Sequence, residues 1–125
     1  MSEGAEIKIR QNLFAEITLL DESYRQIKTL LLAKEYNASI VVSTLKTFKD
    51  SLNRASSYVL TLFTLKGKQV NITWEHLFTH LDYALTIPVS PPLKHRDAVQ
   101  TVLTISEAEF HQVLTYFATL KASIK

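Results

Sequence analysis

Apolar residues recur at helical spacing along the stretch from Asn37 to Lys66. Successive apolar positions lie 4, 3, 4, 3, 4 and 3 residues apart, a period that places them on one face of about six helical turns. These positions are Val41, Leu45, Phe48, Leu52, Ala55, Val59 and Leu62. The other faces are polar, so the stretch is predicted to form one wall of a helical bundle and not a membrane span.

An equally regular pattern precedes it and predicts a first helix from about Ala5 to Ala33. Residues 34–39 join the two helices without glycine or proline. Two structures fit this connection. One is an antiparallel hairpin in which Asn37 or Ser39 caps the second helix, and the other is a continuous helix of about 60 residues that needs a partner chain. We favour the hairpin, because helices longer than about 25 residues are uncommon in compact domains.

The second helix is predicted to end at Lys66 and Gly67, because glycine readily takes the left-handed conformation that follows many helices. Thr73 is then predicted to cap a third helix, since a threonine hydroxyl can accept a hydrogen bond from a free N–H in the first turn. The apolar pattern of this helix continues to about Ile87.

The chain's three prolines lie between Pro88 and Pro92 and predict a stiff, extended connection. Residues 93–104 fit a short helix capped by Ser90, but they are also rich in residues that favour strands, so their conformation stays open. Ser106 and Glu109 form a capping box, which predicts a last helix from this point.

These elements predict an all-α fold in a single domain of residues 1–125, arranged as an up-and-down four-helix bundle, with a short fifth helix after the prolines as an open possibility. With 46% hydrophobic residues the chain can bury a core. The absence of cysteine excludes disulfides, thiolate nucleophiles and cysteine-based zinc sites. The acidic N-terminus and the lack of an apolar run of about 20 residues lead us to expect a cytoplasmic protein without a membrane span.

One face of the third helix carries an unusual set of side chains. His76, His80 and Tyr83 follow one another at spacings of 4 and 3 residues, opposite the apolar face. Two histidines one turn apart can share a metal ion, but no glutamate follows His76 as in the zincin pattern. The candidates for a third ligand are His95, His111 and Asp82. Aromatic and histidine side chains suit partly buried protein interfaces, so we interpret this face as a surface for a partner.

Positive charge is concentrated in the second quarter of the chain. Residues 36–70 hold five cationic side chains against Asp50 alone, a net charge of +4. Such a bias suits an acidic partner or a nucleic-acid backbone, although a solvated helix face is the simpler interpretation. The candidate nucleic-acid contacts are Lys46, Lys49, Arg54, Lys66, Lys68 and Lys94.

The segment from Phe63 to Gly67 is similar to the His-x-Leu-Lys-Gly signature of histidine phosphotransfer domains, which are four-helix bundles of comparable length. Phe63 replaces the phosphorylated histidine, so the resemblance implies a domain that docks a receiver domain without accepting phosphate. The resemblance covers five residues, and the end of a helix explains Leu-Lys-Gly equally well.

No set of residues for catalysis emerges from the sequence. Gly4 and Gly67 are its two glycines, which excludes a phosphate-binding loop, a nucleophile elbow and a glycine-rich dinucleotide turn. We therefore expect a non-enzymatic adaptor that needs no cofactor or metal and binds a protein partner, or itself as a homo-oligomer, through an apolar helix face. A nucleic-acid-binding accessory protein is the alternative.

Overall fold

The computed structural model describes residues 3–70 and 72–123, and this part of the chain forms five α-helices and no strand. The all-α prediction is therefore confirmed, and the open segment after the prolines is helical. The helices are α1 (Glu3–Leu32), α2 (Ala38–Leu65), α3 (Glu75–Thr86), α4 (Pro92–Ile105) and α5 (Glu107–Ser123).

The two long helices form an antiparallel hairpin and not one continuous helix. Helix α1 ends at Leu32, and Asn37 caps α2 by accepting a hydrogen bond at Oδ1 from the N–H of Ile40, at 3.2 Å. The chain reverses here because the extended backbone of Asn37 interrupts the helix, and its side chain replaces a missing backbone acceptor.

A polar contact fixes the register of the hairpin. Ser51 of α2 is fully buried, and its hydroxyl lies 3.0 Å from the backbone carbonyl oxygen of Glu16 in α1 and 2.9 Å from Glu16 Oε1. Arg54 donates from Nε to Glu16 Oε2 at 2.7 Å. Because one carboxylate accepts from two positions of the opposite helix, a shift of the helices past each other would break both contacts.

The predicted apolar face of α2 is the centre of the core, and all seven of its residues are at most 1% exposed. The short helices complete the core from one side of the hairpin. The ring of Phe110 in α5 lies 5.3 Å from the ring of Phe48 and 4.9 Å from that of Tyr24. At the other end of α5, Lys121 Nζ donates to the hydroxyl of Thr18 at 2.9 Å. Helix α5 therefore runs along α1 in the opposite direction.

The end of α2 has the predicted glycine geometry. Gly67 has a φ of +69°, the left-handed region that favours glycine. The N–H of Lys68 donates to the carbonyl of Phe63 at 2.9 Å, and the N–H of Gly67 donates to that of Thr64 at 3.0 Å. These two bonds form a Schellman motif, which accounts physically for the Leu-Lys-Gly sequence.

The side-chain caps predicted for the three short helices do not form, although α5 begins directly after Ser106 as predicted. Helix α3 begins after Trp74, not Thr73, and no side chain caps it. Helix α4 begins at Pro92 after Pro91, so Ser90 lies one residue too early to cap it. Ser106 separates α4 from α5, but its hydroxyl donates back to the carbonyl of Val102 at 2.6 Å.

Packing explains the different role of Ser106. Its side chain is fully buried against α4, while its backbone carbonyl accepts from the N–H of Phe110 at 3.0 Å and so starts α5. Helices α4 and α5 consequently follow each other across a single residue. Among the described residues, no helix is long and apolar enough to cross a membrane.

Candidate functional site

Helix α3 packs on the hairpin through one face and presents the opposite face to solvent. Tyr83 is 61% exposed, His76 is exposed, and His80 is half-buried. The spacing of these three residues places them along one edge of the helix, as the sequence predicted. The buried residues of α3 are Leu77, Leu81 and Ala84.

At the N-terminal end of this edge lies a cavity of about 170 Å³, which we call the Trp74 depression. The residues that matter for its chemistry are Trp74, Glu75 and His76 at the start of α3 and Glu109 and Gln112 of α5. The depression therefore combines an aromatic wall with two carboxylates and an amide.

The aromatic wall is held in place by α5. The ring centroid of Trp74 lies 5.7 Å from that of Tyr116 and 6.1 Å from that of Phe117. Burial raises the pKa of the Tyr116 hydroxyl, because the phenolate would lose its hydration. The indole nitrogen of Trp74 is buried without a hydrogen-bond partner in the described structure. Packing alone thus sets the position of the indole.

At the other end of the edge lies a wider cleft of about 470 Å³, which we call the Tyr83 cleft. Tyr83 and Ile87 contribute from α3, Pro88 from the connection, and Lys94 and Ala98 from α4. Tyrosine rings are enriched at the anchor positions of protein interfaces, where they pack against apolar residues.

The two ends of the α3 edge carry opposite charge. Lys94 supplies a positive charge at the Tyr83 cleft, whereas Glu75 and Glu109 supply negative charges at the Trp74 depression. Between them His80 Nε2 lies 3.8 Å from Glu109 Oε1. The surface is therefore polarised along the axis of α3.

The histidines do not assemble a metal centre in the described structure. Within residues 3–70 and 72–123 no three histidine, cysteine, aspartate or glutamate side chains are close enough to hold a metal ion. His76 and His80 instead lie next to each other on the edge of α3, outside its buried face of Leu77 and Leu81.

The candidate nucleic-acid contacts are spread over several elements, and half of them are paired. Lys49 forms an ion pair with Asp82 of α3. Lys66 Nζ lies 3.7 Å from Glu6 Oε1. Arg54 bonds to Glu16, and this hydrogen bond is the main cause of the raised pKa of Arg54.

The other three cations, Lys46, Lys68 and Lys94, are exposed and form no ion pair within the described residues. Lys46 lies in α2 and Lys68 lies beyond its end. The part of α2 from Lys46 to Leu65 alone spans roughly 30 Å, given a rise of about 1.5 Å per residue. This separation exceeds the screening length of about 8 Å at physiological salt, so the two charges act independently.

Sequence analysis did not predict the burial of His95. Cations flank this residue in the sequence, but its side chain is fully buried and its Nδ1 lies 2.5 Å from the hydroxyl of Tyr36. Nε2 is buried without a partner in the described structure. Burial lowers the pKa of His95 and raises that of Tyr36, while the nearby charge of Arg96 opposes the shift of Tyr36.

A signal for the burial of His95 is present in the sequence. His95, Val99, Val102 and Ser106 follow one another at spacings of 4, 3 and 4, and all four are buried. This periodicity places the histidine on the inner face of α4, and it outweighs the charge of the adjacent Lys94 and Arg96.

Comparison of the chain with protein-family models, with curated protein sequences and with solved structures finds no match.

Proposed function

We propose that this chain is a non-enzymatic adaptor that binds a protein through the exposed edge of α3, with Tyr83 as its anchor and His76 and His80 beside it. The observation that carries the proposal is the exposure of Tyr83, at 61%, at one end of an edge whose two cavities carry opposite charge. Interface anchors are enriched in tyrosine, because its ring buries a large area while its hydroxyl finds a polar partner.

The rigidity of the α3 edge supports this proposal. Trp74 is packed against two aromatic rings of α5, and Lys49 of α2 is paired with Asp82 on α3. A surface that is already ordered loses little conformational entropy on binding, so more of the contact energy remains as affinity.

The same proposal includes the topology of the helices. Helix α3 runs opposite to α5, since Trp74 contacts Tyr116 while His80 contacts Glu109. With α4 and α5 counted as one element bent at Ser106, the chain corresponds to an up-and-down four-helix bundle. We place the adaptor in the cytoplasm, where a chain without cysteine needs no oxidising environment.

Nucleic-acid binding has less support than protein binding. Three of its six candidate cations already pair with carboxylates, and two of the others, Lys46 and Lys68, are far apart. Binding to duplex or single strands that falls steeply with salt would favour it, because each phosphate contact releases a counterion.

Site-specific photo-cross-linking tests the proposed function. Thr79 is exposed at the middle of α3, and Thr29 is exposed on α1, so p-benzoylphenylalanine at either position gives matched probes. We expect a specific adduct from position 79 and none from position 29. The captured protein is then identified and purified, and its affinity is compared for the wild type and Tyr83→Ala.

A loss of affinity of about thirtyfold or more in Tyr83→Ala is the expected result for an anchor residue. Equal adducts from both probe positions, or unchanged affinity of Tyr83→Ala, would contradict the proposal.

A further inference from the structure

We infer that the α3 edge binds a second copy of this chain, in a two-fold symmetric dimer in which Tyr83 of each copy enters the Trp74 depression of the other. This inference rests on the proposed function and names its partner. A symmetric interface requires one surface to carry both a feature and its complement. The α3 edge has a protruding ring at one end and a cavity at the other.

The spacing along α3 fits such a dimer. If the α3 helices of two copies lie side by side in opposite directions and cross at Thr79, Tyr83 lies four residues, or about 6 Å, beyond the crossing point. It is then level with Glu75 and His76 of the second copy, which line the Trp74 depression. Thr79 is exposed and short, so it allows the helices to reach the usual separation of about 8–10 Å.

The volume of the depression also fits. It measures about 170 Å³, and a cavity of about 150 Å³ accommodates a benzene-sized ring. The phenol ring of Tyr83 can therefore enter it and pack on Trp74. Its hydroxyl would then lie among polar side chains, including His76 and Gln112, which can exchange hydrogen bonds with it.

Charge complementarity distinguishes this occupant from an unrelated apolar partner. Lys94 lines the same cleft as Tyr83, and Glu75 and Glu109 line the depression. Insertion of Tyr83 therefore brings Lys94 towards the two carboxylates of the second copy. The two-fold axis repeats this arrangement, so one dimer gains two favourable contacts and no like-charge pair between these three groups.

The size of the α3 edge determines how tightly two copies are expected to bind each other. Helix α3 has 12 residues and so spans about 18 Å, which makes the interface small. Small interfaces are typical of weak or transient complexes. We therefore expect a dimer that dissociates on dilution, with a Kd in the micromolar range.

Sedimentation velocity of the full chain between about 1 and 500 μM tests the inference. The wild type should shift from monomer to dimer as its concentration rises. Tyr83→Ala should raise the Kd about thirtyfold or more while circular dichroism and the thermal midpoint stay unchanged. Leu32→Ala is the matched control, because Leu32 is 82% exposed and lines neither the Trp74 depression nor the Tyr83 cleft.

Charge reversal gives the sharper test. Lys94→Glu and Glu109→Lys each place like charges at both contacts of a homodimer, and each should weaken dimerisation about tenfold, given roughly 0.2–1 kcal/mol per exposed pair. An equimolar mixture of the two variants restores opposite charges at both contacts. The mixture, and the double variant alone, should therefore recover most of the lost affinity, with Glu75 unchanged at each contact. Lys46→Glu and Glu107→Lys are controls outside the edge.

Each other outcome overturns the inference. A wild type that stays monomeric overturns the dimer, and the proposed function survives if position 79 captures a different protein. A dimer that persists in Tyr83→Ala, or a mixture that fails to recover, places self-association elsewhere. If position 79 also captures nothing, the proposed function fails with it.

Discussion

The α1–α2 hairpin and the layer of α3, α4 and α5 differ in how their ends are built. The hairpin has helices of 30 and 28 residues, an asparagine cap and a Schellman motif. The helices of the layer have 12, 14 and 17 residues, and α3 and α4 have no side-chain cap. Short helices without caps are marginal by themselves, so the layer depends on packing against the hairpin.

Buried polar groups without a hydrogen-bond partner occur in both halves of the described structure. They are Arg10 Nε and Ser56 Oγ in the hairpin, and Trp74 Nε1 and His95 Nε2 in the layer. The layer also carries the exposed Tyr83 and both cavities of the α3 edge. The comparison teaches that local hydrogen bonds fix the ends of the hairpin helices, whereas the proposed binding surface lies on helices that packing holds in place.

The largest effect is expected from Phe48→Ala in the hairpin. Phe48 is fully buried and packs on the rings of Tyr24 and Phe110, so its loss should reduce the free energy of unfolding by about 3–5 kcal/mol. Tyr83→Ala is the comparison, and its free energy of unfolding should change by no more than about 0.5 kcal/mol. Denaturant titration of both variants measures these free energies. Similar losses in the two variants would contradict the expected difference between the core and the proposed binding surface.

Acid should weaken the layer through His95. Burial lowers the pKa of His95 below 6.5 in the folded chain, so the unfolded chain binds the additional proton first. The contribution of His95 to the free energy of unfolding therefore has its full value above about pH 6.5. It decreases as the pH falls below this value, by at most about 1.4 kcal/mol per pH unit. Tyr36 faces the imidazole from the α1–α2 connection, and Arg96 adds a positive charge nearby that offers no compensation.

Denaturant titrations between pH 7 and pH 5 measure this slope. His95→Gln should flatten the profile, because an amide does not titrate and can still bond to Tyr36. His111→Gln is the control, since His111 is exposed on α5, and it should keep the slope. An unchanged slope in His95→Gln would assign the acid sensitivity to other groups.

The regular part of the fold was predictable because its signals are repeated. Seven apolar residues specify the inner face of α2, so no single contact decides the assignment. The end of α2 was predictable for a different reason: the φ of +69° at Gly67 is a conformation that few other residues adopt. The 4 and 3 spacing likewise placed His76, His80 and Tyr83 on one edge.

The layer was harder to predict because its local signals compete with packing. Ser106 has the sequence of a cap, yet burial against α4 turns its hydroxyl towards Val102. His95 lies between two cations, yet the packing of α4 buries it. Glu109 and Lys94 reach the α3 edge from two other helices, and no periodicity within α3 can reveal them.

The smallest effect is expected at the end of the hairpin, at Gly67. No atom lies within 4 Å of a Cβ added at Gly67, so Gly67→Ala introduces backbone strain without a steric clash. The expected loss is about 1 kcal/mol of unfolding free energy, the usual cost of the left-handed conformation for a residue with a Cβ. Gly67→Asn should lose less, because asparagine tolerates this conformation. Equal losses for the two variants in denaturant titrations would mean that a contact, and not the backbone conformation, makes glycine necessary here. If the predicted order holds while dimerisation is unchanged, the end of the hairpin contributes to stability independently of the α3 edge.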